Sequence, residues 1–136
     1  MKVIRDTESR RVTTPNGVMT TLASAIQGGS GQAVWRVEMV PGAQGPVHAF
    51  DTDQVWTVLA GAARLALEDE TVAVRQGDTV ILPADVQRQV FADPTHGFTA
   101  IACAPATTRL HRIDPTAAVP SVASLDGDKI LPDWIA

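Results

Sequence analysis

The stretch Gly42–Gly61, GAQGPVHAFDTDQVWTVLAG, holds two short extended segments between glycines, with an imidazole, an amide and an indole at alternating positions. Side chains along a strand point to opposite faces in turn. His48 and Phe50 therefore share one face of the first segment, and Gln54, Trp56 and Val58 share one face of the second. The polar triplet Asp51-Thr52-Asp53 makes the turn between them. Where the two faces meet, a single pocket lined by a histidine, a glutamine and two aromatic rings is expected.

Outward from this stretch the strand signal continues in both directions, and no window of more than about ten residues keeps helical spacing free of Gly or Pro. Upstream, Arg11–Thr14 and Val18–Ala23 flank Pro15-Asn16-Gly17 and read as a hairpin, with Asn-Gly expected to supply the positive φ of a tight turn. Ile26–Gln32 is a loop by composition, and Ala33–Val40 sets Trp35, Val37 and Met39 against Arg36 and Glu38, with the apolar set expected inside. Downstream, strands are expected at Ala63–Leu67, Thr71–Val74, Thr79–Leu82, Arg88–Ala92 and Phe98–Ala104. They are parted by Glu68-Asp69-Glu70, Gln76-Gly77-Asp78, Pro83 and Asp93-Pro94. Short strands with turn signals roughly every 8 to 12 residues indicate an all-β sandwich or closed antiparallel barrel. Beyond Pro105 the composition turns to Ala, Thr and Pro, with one strand expected at Arg109–Ile113 and a final apolar tag, Leu131–Ile135. This tail is expected to pack as irregular coil. One domain is expected overall: an N-terminal hairpin arm and loop over residues 1–32, a barrel over 33–104 and a C-terminal extension over 105–136.

Bulk properties exclude several function classes. With 136 residues, 45% hydrophobic, the chain can bury a core without metal or disulfide staples. Its mean hydropathy is +0.06, and no apolar run approaches the roughly 20 residues that span a bilayer. The opening MKVIRDTESRR has no apolar segment behind it, so a cytoplasmic location is expected. Cys103 is the single cysteine, which rules out an internal disulfide and a multi-thiolate metal site. The net charge is −4, and the 11 basic residues form no patch beyond Arg10-Arg11, so nucleic acid is a poor partner.

Two sets of spacings carry a family resemblance. Gly42, His48, Phe50, Gln54 and Gly61 fall on G-x5-H-x-H-x3-E-x6-G, and Gly77, Pro83, Asp85, Arg88 and Ala92 fall on G-x5-P-x-G-x2-H-x3-N, with every interval kept. Over about Val34–Ala104 the chain resembles a small single-domain cupin, which implies a jelly-roll barrel. The resemblance also implies where a metal would sit, because the two His and the Glu of the first motif and the His of the second are the family's ligands. Here only His48 remains: Phe50, Gln54 and Arg88 stand at the other three places. Phenylalanine has no donor atom, an amide oxygen is a weak neutral ligand, and a guanidinium stays protonated and repels cations. The metal motif is degenerate, and no cofactor is expected.

Arg88 instead offers a fixed positive charge near the place of the lost ion, able to bind an anionic group. An arginine there can equally pair internally with Glu38 or Asp85, or send its head to water. His48 can act as a general acid or base, or be a core histidine hydrogen bonded to Gln54. Gln54 can orient His48 or hold a ligand carbonyl, and Phe50 and Trp56 can form an aromatic wall for the ligand or serve as plain core. His96, His111 and Cys103 receive no role, and Asp51 and Asp53 are expected to bond the local backbone.

These residues allow a metal-independent isomerase, cyclase or dehydratase of an anionic or carbonyl-bearing metabolite, with His48 and Gln54 catalytic and Arg88, Trp56 and Phe50 binding substrate. A ligand-binding module without turnover is the alternative from another class. A metal-dependent enzyme on His48, Gln54 and a further residue is the third. The resemblance also implies a homodimer, paired through the arm from Val3 to Ser24.

Overall fold

The computed structural model describes residues 1–112 and 122–136. Eleven strands occur among them: β1 (Arg10–Thr14), β2 (Gly17–Ala23), β3 (Gln32–Met39), β4 (Gln54–Leu67), β5 (Glu70–Arg75), β6 (Thr79–Leu82), β7 (Arg88–Ala92), β8 (Phe98–Pro105), β9 (Leu110–His111), β10 (Val122–Asp126) and β11 (Lys129–Pro132). All their pairings are antiparallel. The all-β jelly roll expected from the sequence is the fold observed.

Strand β4 joins two sheets. Its first half pairs β8 and β6, and through β8 continues to β3, β2 and β1. Its second half pairs β5 and β7, and β7 in turn bridges the 44–48 segment at Gln44–Phe91 and His48–Arg88. The two strands expected on either side of Gly61 are thus one 14-residue strand that changes sheet. Gly61 makes the turn between sheets: it has φ +69, and a Cβ there would overlap the carbonyl of Gly97, which accepts a hydrogen bond from Ala62 N at 3.0 Å. The first extended segment of the Gly42–Gly61 stretch, expected as a strand over Val47–Phe50, is reduced to single bridges, at His48 to Arg88 and at Phe50 to Leu110.

The core forms between the inner faces of these sheets by rows of unequal side chains. Ala102 of β8 lies between Trp35 of β3 and Trp56 of β4, and Ala100 lies between Val37 and Val58. A small residue between two large ones lets the indoles fill the interior without overpacking. Trp35, Val37 and Met39 are buried as expected. Ala102→Leu would force a branched side chain between the two tryptophans, at a cost of about 1–3 kcal/mol.

Three further expectations are corrected. First, neither Asn16 nor Gly17 has positive φ. Strands β1 and β2 meet at Thr14–Gly17, so Pro15 holds the first loop position, and its ring fixes φ near −65° there. Gly17 is needed for another reason, since a Cβ would strike the Glu38 carbonyl of β3. Second, the described part of the C-terminal tail is not all irregular coil: β10, β11 and β9 form a three-stranded sheet, and Ile130 and Ile135 are buried. Lys129 and Ile130 pair His111 and Leu110, while Thr21 Oγ1 donates to the Trp134 carbonyl at 2.9 Å. Of the strand expected at Arg109–Ile113, Leu110 and His111 are extended, and Ile113 lies outside the described residues. Third, Asp51 and Asp53 bind distant rather than local backbone, accepting from Arg109 N at 2.7 Å and Ala84 N at 2.8 Å. Asp51 also meets Lys129 at 3.2 Å, so these carboxylates tie the tail and the β6–β7 connection to the barrel. No helix among the described residues is long and apolar enough to cross a membrane.

Candidate functional site

The sheet register brings the separate sequence signals together. Gln54 and Trp56 project inward from β4, while Arg88 projects inward from β7, whose backbone exchanges hydrogen bonds with His48 at 3.0 and 2.9 Å. His48 and Phe50 meet edge to face, with ring centroids 5.2 Å apart. Of the five residues singled out in the sequence, Phe50, Gln54, Trp56 and Arg88 are buried, and His48 lies half-buried beside Phe50. The C-terminal sheet closes on Phe50 through the Phe50–Leu110 bridge, and His111 Nε2 contacts Asp85 Oδ1 at 2.7 Å.

Arg88 dominates the electrostatics. Its side chain is 2% exposed and its guanidinium lies 4.6 Å from the Phe50 ring centroid. Nη2 donates to Gln54 Oε1 at 2.7 Å, whereas Nε and Nη1 are buried and have no partner among the described residues. Neither internal counter-charge considered from the sequence is used: Glu38 pairs Arg36 at 3.3 Å and Asp85 meets His111. Nor does the head reach water. Burial pulls the guanidinium pKa down to about 10.

Gln54 does not orient His48. Its Oε1 accepts from Arg88 and from Trp56 Nε1 at 3.0 Å. Both neighbours are obligate donors, so the amide oxygen must face them, and this sets Nε2, buried and without a partner among the described residues, on the other side. His48 instead places Nδ1 2.6 Å from the Pro46 carbonyl. A carbonyl only accepts, so Nδ1 carries the proton and Nε2 keeps its lone pair. Burial, then the nearby Arg88 charge, lower the His48 pKa to about 4, so the ring is neutral at neutral pH.

The aromatic residues have internal duties. Phe50 presents its face to Arg88, and Trp56 stacks on Phe98 at 6.2 Å and 17°. An open groove of about 560 Å³, near Arg64 and Phe91, lies on the outside of the β7–β4–β5 sheet, away from this cluster. Cys103 points outward and is partly exposed, and His96 pairs Asp93 in its turn. The Arg88–Gln54 contact was missed in the sequence; its signal was that both residues occupy motif positions that converge on one ion.

These motif spacings, now seen as one cluster inside a jelly roll, agree with a sequence comparison: the profile described as Cupin domain matches residues 35–97. Residues 35–97 are a cupin domain. No curated protein matches the chain in sequence. Several solved structures share the fold. An RmlC-like cupin from Shewanella frigidimarina is 18% identical, with TM-score 0.64, covering 79% of this chain and 93% of that one. KdgF from Halomonas sp. is 20% identical, with TM-score 0.62, covering 75% and 92%. The polyketide cyclase RemF from Streptomyces resistomycificus is 20% identical, with TM-score 0.68, covering 94% and 89%. At these identities the likeness concerns the fold alone.

The side chains present at the cupin metal position decide whether an ion fits there. Among the described residues no three of His, Cys, Asp and Glu are grouped to hold one. At the motif positions, Phe50 has no donor, the Gln54 oxygen already accepts two hydrogen bonds, and Arg88 places a cation beside it. This donor set does not fit a divalent metal.

Proposed function

We propose that the chain is a small-molecule-binding cupin that takes an anionic or carbonyl-bearing metabolite on Arg88 without a metal. One observation carries the reading: a buried guanidinium with two unpartnered nitrogens and no ion-pair partner among the described residues. Such a charge costs several kcal/mol to bury, and a ligand carboxylate or enolate offsets that cost.

As an enzyme, the site suits proton transfer next to a carbonyl or carboxylate. With the substrate oxygen on Arg88, His48 Nε2 takes the proton from the adjacent carbon, and the electron pair moves onto the oxygen as an enolate facing the guanidinium. The proton returns to another carbon in an isomerase or leaves with hydroxide as water in a dehydratase. Attack of the enolate carbon on a carbonyl closes a ring in a cyclase. RemF, a polyketide cyclase of the same fold, is a parallel at fold level. The pKa of about 4 favours a second reading, binding without turnover, because so weak a base removes few protons unless the ligand's charge first offsets that of Arg88.

Titration of chelator-treated protein with carboxylate-bearing metabolites, wild type against Arg88→Ala, tests the common part. Equal affinities remove Arg88 from the site. Recovery of a chemically changed ligand, lost in His48→Gln, separates the enzyme from the binder.

A further inference from the structure

Gln54 stands at the motif position of a carboxylate yet is completely buried against a buried cation. A glutamate there would lie within hydrogen-bond reach of Arg88 Nη2, where Gln54 Oε1 sits at 2.7 Å, and would form a buried ion pair. The amide accepts the same hydrogen bond, holds the guanidinium in place, and leaves its charge intact. Its second atom adds to the site: Nε2 is buried, unpartnered, and fixed in direction because Arg88 and Trp56 together claim the oxygen. The cluster then offers three nitrogens without a partner among the described residues, Gln54 Nε2 and Arg88 Nε and Nη1, all donors. The one side-chain acceptor among these two groups is already taken twice.

We infer that Gln54 is a positioning and specificity-determining residue: it orients Arg88 without neutralising it, and with it forms a donor-only receptor for a deprotonated carboxylate. The inference rests on the reading that Arg88 receives an anion, and narrows it. A ligand that brings its own N–H to this receptor sets donor against donor and leaves buried groups unpaired, which is how polar sites reject near-isosteres. An ionised carboxylate brings acceptors only.

Benzoate and its neutral isostere benzamide probe this, measured by calorimetric titration at neutral pH on chelator-treated wild type, Gln54→Glu and Gln54→Ala. The expectation for wild type is benzoate at least about tenfold tighter than benzamide, the benefit of a charge-assisted contact. Gln54→Glu keeps the size of the side chain but supplies the counter-charge, so benzoate binding falls at least about tenfold, and the ligand-free protein melts higher. Gln54→Ala keeps the Arg88 charge, so benzoate weakens but stays preferred over benzamide. Wild-type affinity for benzoate in Gln54→Glu overturns the role of Gln54 while leaving Arg88 as receptor. Absence of benzoate preference in the wild type overturns the anion reading itself.

Discussion

Replacing Arg88 by Met should stabilise the ligand-free protein. The two side chains are similar in length, and methionine fills irregular space and packs well on an aromatic ring such as Phe50. The fall of the Arg88 pKa to about 10 corresponds to a penalty on the order of 3 kcal/mol against the charged form, since each pKa unit is about 1.4 kcal/mol. Against this, the substitution removes one charge-assisted hydrogen bond to Gln54, about 1.5–3 kcal/mol, and the cation–π interaction with Phe50, about 0.5–2 kcal/mol. Gln54 Oε1 is not orphaned, because Trp56 Nε1 still donates to it at 3.0 Å. Measured exchanges of buried charge for apolar side chains of like volume are neutral or stabilising by about 1–4 kcal/mol. Burial of the methionine side chain adds about 1.5–3 kcal/mol, and with it these terms centre on a gain of about 1–2 kcal/mol, a rise in Tm of several degrees for a domain of this size. Urea unfolding followed by circular dichroism measures it, with m unchanged as the check that the native state is intact. Destabilisation by more than about 1 kcal/mol would defeat this expectation, because it would mean that the fold itself satisfies the guanidinium.

The His48 pKa of about 4 lies below its ordinary 6.5, so between these values the unfolded chain binds a proton that the folded chain refuses. The contribution is present in full above pH 6.5 and lost as pH falls toward 4, by on the order of 3 kcal/mol; the difference in stability between wild type and His48→Gln should follow that window, and a flat difference would contradict the burial of the neutral ring. Gly61→Ala should cost at least about 2 kcal/mol by denaturant unfolding, from the left-handed backbone and the overlap with Gly97, and a neutral result would show that β4 does not change sheets there. The homodimer is proposed through β1, which ends the β1-β2-β3-β8-β4 order with an unpaired edge; light scattering at micromolar concentration should give twice the chain mass, and a monomeric mass would remove the proposal.

The fold was legible because its signals are local. Alternation in Trp35–Met39 and Gln54–Val58, and turns at Gly77 and Pro83, each specify a strand or its end within a few residues. The continuity of β4 was hidden by Gly61, which reads locally as a breaker and serves globally as a hinge between sheets. The C-terminal sheet was hidden because β9 has only two residues, and its order comes from β11 and the barrel rim rather than from its own pattern. At the site, membership was readable from motif spacing, but partnership was not. Which of His48 and Arg88 Gln54 touches depends on how the two sheets face each other, since Gln54 pairs β6 in one and Arg88 pairs Leu67 in the other, and on donor-acceptor matching, since a guanidinium and an indole both need the single amide oxygen. His48 found its partner two residues away, at Pro46, which strand alternation alone does not suggest.

In the proposed function the Arg88 guanidinium takes the place of the ion in this cupin barrel. A crystal structure of chelator-treated protein with a bound carboxylate is the decisive measurement. Carboxylate oxygens are expected within hydrogen-bond distance of the Arg88 guanidinium and Gln54 Nε2, with no anomalous metal signal between them. A ligand held by a metal on His48, with Arg88 turned away, would contradict it.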